Sequence, residues 1–244
     1  MKRSGFTLIE CLLGLALSLF VISTGLEFFA RAQAAFCRLK AREEAGQAAL
    51  AALDRMRIDL LHAGRGLSPE VGLGLVEAAE ATADELRTTS LEKRLQLASE
   101  AHAGDTRLSL ASAADIAGGQ GVALRNGTAG EVRTVIRVDA GAVALDAPLE
   151  GTYAPETAIV SLLERVTYFL DRPARILRRR VNTSSAQPLL EGAAAAIWNL
   201  DPAAPLVRIR LELDDPVVAD IKGAQPHETT VFLKNPALAG NSGT

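Results

Sequence analysis

Few residues in this chain stand at spacings that support chemistry. His62, His102 and His227 lie far apart, and none has a second histidine or a cysteine at metal-ligand spacing. A protonated His62 would instead suit the negative end of a helix. No nucleophile-elbow, zinc-protease or phosphate-loop pattern occurs. Gly118-Gly119-Gln120-Gly121 fails the dinucleotide fingerprint in spacing and context and reads as a turn. Asp214, Asp215 and Asp220 are a calcium candidate without EF-hand spacing, and read as a solvated loop. Asn126-Gly127-Thr128 and Asn182-Thr183-Ser184 match the glycosylation sequon in form only. Cys11 and Cys37 are 26 positions apart in what reads as one helix, roughly 39 Å, so they cannot pair within the chain. These patterns lead to an expectation of no catalytic residues, no metal and no cofactor.

One carboxylate stands out by its position. Glu10 is the only charge between Phe6 and Leu26, 21 residues that would span about 31 Å as a helix, a bilayer's hydrocarbon thickness. Lys2 and Arg3 precede the run. A secretory signal peptide would have Ala32-Gln33-Ala34 as its cleavage site, but the apolar stretch exceeds the usual 7–15 residues and the cut would fall beyond Glu27 and Arg31. A plain membrane anchor leaves Glu10 unexplained, since a charge at mid-bilayer costs about 3 kcal/mol and such residues usually serve a function with a partner. A peptidase cut between Gly5 and Phe6 supplies one. The new α-amino group of Phe6 is a cation, and Glu10 lies four residues along on the same helical face. In a bundle, Glu10 would meet the amine of a neighbouring subunit and set the register between helices.

Those residues carry a resemblance. KRSG followed by FTLIE resembles the class III leader and cleavage site of type IV prepilins and type II secretion pseudopilins. It has a short basic leader (Lys2, Arg3), Gly5 before the cut, Phe6 after it, and a glutamate (Glu10) at the fifth mature position. The resemblance implies cleavage at the cytoplasmic membrane face by prepilin peptidase and N-methylation of Phe6, which leaves the amine charged. One local signal opposes it. Arg31, Arg38, Lys40 and Arg42 outnumber Lys2 and Arg3, so the positive-inside count alone would place the C-terminal side in the cytoplasm. The leader motif requires the opposite orientation.

The element that must position Glu10 is a long helix. No proline occurs before Pro69, and residues 27–62 are rich in helix formers. Leu50, Leu53, Met56, Leu60 and Leu61 repeat at three- and four-residue spacing, predicting an apolar stripe that packs on the chain's own domain, with Arg55 and Asp59 pointing away from it. Gly64 and Gly66 predict the stop. The expectation is one helix of roughly 55–60 residues, about 85 Å long, with its first half in the membrane and its second half docked on a head, the lollipop shape of type IV pilins. DRMRIDLLHAGRGL is similar to the helix end of PilW-like minor pilins. The absence of a helix-breaking proline near Glu27 and of a C-terminal disulfide separates the chain from major pilins.

Beyond Pro69, short alternating runs predict strands at 106–112, 121–127, 131–138, 141–147, 164–171, 175–181, 206–213 and 229–234. Asn126-Gly127 and Asp139-Ala140-Gly141 predict hairpin turns. The expected fold is α+β, a long N-terminal helix packed on a mostly antiparallel sheet. Val166-Thr167-Tyr168-Phe169-Leu170-Asp171, Leu177-Arg178-Arg179 and Pro188-Leu189-Leu190-Glu191-Gly192 follow in the order seen in PilW-like and J-type pseudopilin sequences. At 244 residues, 48% hydrophobic and 23% charged, the chain has the composition of a folded protein. Its formal charge of −3 gives no general reason to bind nucleic acid. The cluster Arg172, Arg175, Arg178, Arg179 and Arg180 lacks interleaved aromatics for base stacking and reads as a solvated or acid-paired strand face, with Arg178 and Arg180 on one side and Arg179 on the other.

The expected organisation is a leader at 1–5, a membrane or filament-core helix at 6–29, its amphipathic continuation at 30–66, a periplasmic α+β head at 67–235 and a tail at 236–244. The expected role is structural. The chain would be a minor pilin of the bacterial inner membrane, later incorporated into or priming a pilus or pseudopilus, with other pilins or pseudopilins, prepilin peptidase and the membrane as partners and no nucleic acid. A minor J-type pseudopilin of type II secretion is the alternative within the class. A membrane-anchored periplasmic binding domain or enzyme is the alternative outside it.

Overall fold

The computed structural model describes residues 8–201, 204–213 and 226–234. It is an α+β structure with one long N-terminal helix and antiparallel strands. The chain divides into two units, Met1–Gln47 and Ala48–Thr244.

Helix α1 runs from Leu8 to His62, 55 residues. Within the second unit its apolar stripe is Ala49, Ala52, Leu53, Met56 and Leu60, all buried. The expected stripe is corrected at two positions. Leu50 is 57% exposed, and Asp59 is buried on the packed face. Alanines explain both changes. Ala52 lies seven residues, about two turns, before Asp59, so the two share a side of the helix. Ala49 takes the inward place next to Leu50. These alanines are as fully buried as Leu53 and Leu60, so a stripe drawn through the leucines alone is rotated away from the true one. The helix ends at His62, where Gly64 (φ 70°) and Gly66 (φ 75°) take left-handed conformations. The Gly64 N–H donates to the Thr89 carbonyl (2.7 Å), tying the turn to a strand edge. A short helix α2 (Ser68–Gly72) follows, with proline in its first turn.

Nine strands form the larger sheet: β1 (Ala79–Ala81), β2 (Glu85–Leu95), β3 (Arg107–Ser109), β4 (Gly121–Asn126), β5 (Ala129–Asp139), β6 (Ala142–Leu145), β7 (Ile159–Asp171), β8 (Ile176–Val181) and β9 (Gln187–Glu191). Every pairing in it is antiparallel. The expected turns close the β4–β5 and β5–β6 hairpins, with Gly127 and Gly141 at positive φ. The 13-residue β7 organises the whole sheet. One edge pairs with β2; the other pairs with β4 over its first residues and with β8 over its last. A second antiparallel sheet holds β10 (Ala193–Leu200), β11 (Leu206–Leu213) and β12 (His227–Phe232).

Two cores result. The first joins the α1 stripe to Leu86, Tyr168 and Leu177 of the large sheet and to Trp198, Ile209 and Leu211 of the small one. The second lies among β3–β6 and the start of β7, around Leu108, Leu124, Val135 and Leu162. Burying each such leucine contributes about 1.5–3 kcal/mol.

Candidate functional site

Gly5, Phe6, Lys2 and Arg3 lie outside the described residues, as do Asp214, Asp215 and Asp220. Glu10 falls in the first turn of α1 and is exposed. Around it the helix is apolar on every side, from Leu8 and Ile9 through Phe20 to Phe28 and Phe29, all exposed. A helix apolar all round, with no stripe, matches lipid or a helix bundle better than one sheet. This helix is long and apolar enough to cross a membrane. Its hydroxyls are internally satisfied. Ser18 donates to the Gly14 carbonyl (2.8 Å), Ser23 to Leu19 (2.8 Å) and Thr24 to Phe20 (2.9 Å). Such back-bonding removes the cost of an unpaired hydroxyl in hydrocarbon. The first charges after the apolar run, Glu27 and Arg31, pair with each other one turn apart. Cys11 and Cys37 are free and exposed.

In the second unit the helix end meets the sheet through a polar clamp. Asp59 accepts hydrogen bonds from the Tyr168 hydroxyl and from Arg179 Nε (2.8 Å), and Arg55 Nη2 stands 3.5 Å away. Burial alone would lower the Arg179 pKa; the bonds to Asp59 and Tyr168 outweigh it and raise it. Burial, and next the bond to Asp59, push the Tyr168 hydroxyl above its ordinary value. Residue types alone carried no signal for this clamp, because the seven-residue spacing of Asp59 from Ala52 marks a shared side only once Ala52 is known to be buried.

A second buried node closes the turn after α1. Glu70 of α2, fully buried, accepts from Arg94 Nη1 (2.6 Å) and Ser161 Oγ (2.9 Å), while Arg94 Nη2 donates to the Gly66 carbonyl (2.7 Å). Burial would raise the Glu70 pKa, but the hydrogen bonds from Arg94, its own backbone N–H and Ser161 hold it below its ordinary value. A third node seats Glu131, which accepts from the Tyr153 hydroxyl (2.8 Å) and the Glu150 and Gly151 amides.

The basic cluster is largely acid-paired. Arg172 meets Asp84 (3.2 Å), Arg178 meets Asp171 (2.9 Å), and Arg179 meets Asp59. Arg180 lies over the Phe169 ring, 5.5 Å from its centroid. His62 and His102 are exposed, and His227 lies in β12. Among the described residues no three histidine, cysteine or acidic side chains group to hold a metal.

No protein-family model and no curated protein matches the chain. Among solved structures, 32% of the chain is similar to the gp54 tailspike of Acinetobacter baumannii bacteriophage AP22, determined in complex with A. baumannii capsular saccharide, at 14% identity and a TM-score of 0.28. A further 20%-identical likeness, to the tailspike protein gp49 from Pseudomonas phage LKA1, covers 30% of the chain at a TM-score of 0.26. The chain spans 15% of the length of either tailspike, and likenesses at these scores bear on neither fold nor function.

Proposed function

We propose that the chain is a minor type IV pilin, closest to the PilW-like group, with a structural and not an enzymatic role. Prepilin peptidase removes residues 1–5, and the α-amino group of Phe6 becomes methylated and stays charged. The apolar helix holds the protein in the inner membrane with its head in the periplasm until assembly, when it packs against the helices of other pilins. Glu10 then pairs with a neighbouring subunit's amine and fixes register.

The observation that most supports this reading is α1 itself. It is a helix apolar on all sides with one acid in its first described turn, and it continues into an amphipathic end docked on antiparallel sheets. A signal peptide needs no such continuation, and a plain anchor needs no acid. Mass spectrometry of the mature N-terminus is the test. N-methylated Phe6 is the expected result; an N-terminus near Ala35, or an intact Met1, would overturn the proposal.

A further inference from the structure

The face of the large sheet turned away from α1 carries charges for which filament packing supplies no role. Tyr168 and Arg179 point to the helix, so their neighbours along β7 and β8 point the other way. On that side Thr167 stands directly opposite Arg87 of β2 and Arg180 of β8, with Arg165 two residues away along β7. Three guanidinium stems from three adjacent strands surround this threonine, which is 3% exposed.

The three cations are not equally compensated. Arg87 is held by Glu80 (2.9 Å) and Glu85. Arg180 rests on Phe169. The Arg165 side chain makes no hydrogen bond or ion pair with any described residue, and its Nε is buried without a partner, as is that of Arg87. Burial, and next the charge of Arg87, both disfavour the Arg165 cation, and Glu80 and Glu85 offset this only in part. An arginine stays protonated under ordinary conditions, so the site holds a partly desolvated positive charge.

Arg165 lines a cavity of about 200 Å³. Leu75, Val76, Val132 and Leu163 supply apolar walls, Thr89 supplies a hydroxyl, and Arg87 with Glu77 and Glu80 completes the lining. Pockets for drug-sized ligands measure about 300–1,000 Å³, so this volume suits a smaller molecule. The two glutamates oppose a dianion. A guanidinium fork matches a carboxylate through two parallel hydrogen bonds.

We propose that this cavity binds a small monocarboxylate with a short apolar chain, its carboxylate on Arg165 and its hydrocarbon against Leu75, Val132 and Leu163. The inference does not depend on the filament reading. The test uses the full chain in detergent micelles with 15N-labelled arginine, titrated with 3-methylbutanoate or inorganic phosphate at constant ionic strength. The Arg165 Nε–Hε signal should shift saturably with 3-methylbutanoate, and phosphate should bind at least about tenfold more weakly, a difference of about 1.4 kcal/mol. Arg208, ion-paired with Glu228 on the small sheet, should not respond. In R165Q the accompanying shift at Arg87 should vanish, and R165K should bind more weakly than wild type. The proposal is overturned by a non-saturating response, by equal responses to the two anions, or by a response that survives in R165Q. If R165Q does not fold, the wild-type titrations with the Arg208 control still decide.

Discussion

Replacing Asp59 by alanine should strongly destabilise the folded head. The Asp59 and Arg179 side chains are 9% and 15% exposed, so their pairing is little screened by solvent. Alanine removes the acceptor for Arg179 Nε and for the Tyr168 hydroxyl together, leaving a desolvated guanidinium and phenol. Breaking a buried pair from one side costs about 3–5 kcal/mol. For a unit of this size that is a fall in Tm of roughly 6–20 °C. D59N keeps an acceptor without the charge and should cost about 1–3 kcal/mol. The triple variant D59L/Y168F/R179M removes every polar member at once and should recover most of the loss, because the penalty comes from groups left unpaired. The assay is chemical and thermal unfolding of the full chain in micelles, followed by near-ultraviolet circular dichroism, with exposed Asp54→Ala as the control. The reasoning fails if D59A costs less than about 1 kcal/mol, or if D59A and R179A add within about 0.5 kcal/mol in a double-mutant cycle.

Three further outcomes follow from the packing and the turn geometry. The chain has two tyrosines, Tyr153 and Tyr168, and both hydroxyls are raised above the ordinary 10.0. A raised folded pKa contributes stability that is full below the unfolded value and is lost as pH rises through the folded one, so tyrosinate absorbance at 295 nm should appear only as the protein unfolds above about pH 10; reversible titration of a folded tyrosine near that value would contradict the burial. Glu70 is lowered from 4.5, so its contribution is present above that value and lost as pH falls below it. Wild type should therefore lose more stability than E70Q between about pH 5 and pH 3, measured by urea unfolding. Gly66→Ala should cost at least about 1 kcal/mol, because φ is +75° and a Cβ there would stand 2.8 Å from two Leu91 side-chain carbons; an unchanged unfolding midpoint would contradict this turn geometry.

Much of the strand framework was legible from alternation. The hairpins at Asn126-Gly127 and Asp139-Ala140-Gly141, and the runs that became β3 to β8, β11 and β12, show apolar residues at period two with turn residues between them. The strands that alternation missed have reasons. β2 has leucines only at 86, 91 and 95, too sparse to alternate, and its Arg94 is drawn inward by Glu70 and Ser161. β10 opens with four alanines, good helix formers that pairing with β11 holds extended. β9 contains Pro188, tolerated because β9 pairs only with β8.

The sequence by itself determined the long helix, its membrane-length apolar run and the singular position of Glu10. These depend on neighbours within a few turns, where helical periodicity and hydrocarbon thickness suffice. Tertiary structure alone decided which side of that helix is buried and what its acid does. Asp59 lies 109 positions from Tyr168 and 120 from Arg179, and no local pattern announces a partner at that range. Only the pairing of β7 with β8 brings tyrosine and arginine side by side on the face that α1 covers. The same alternation sends Arg165, Thr167 and Arg180 to the opposite face, so the arginines of β7 and β8 divide between a structural clamp and a half-buried charge cluster.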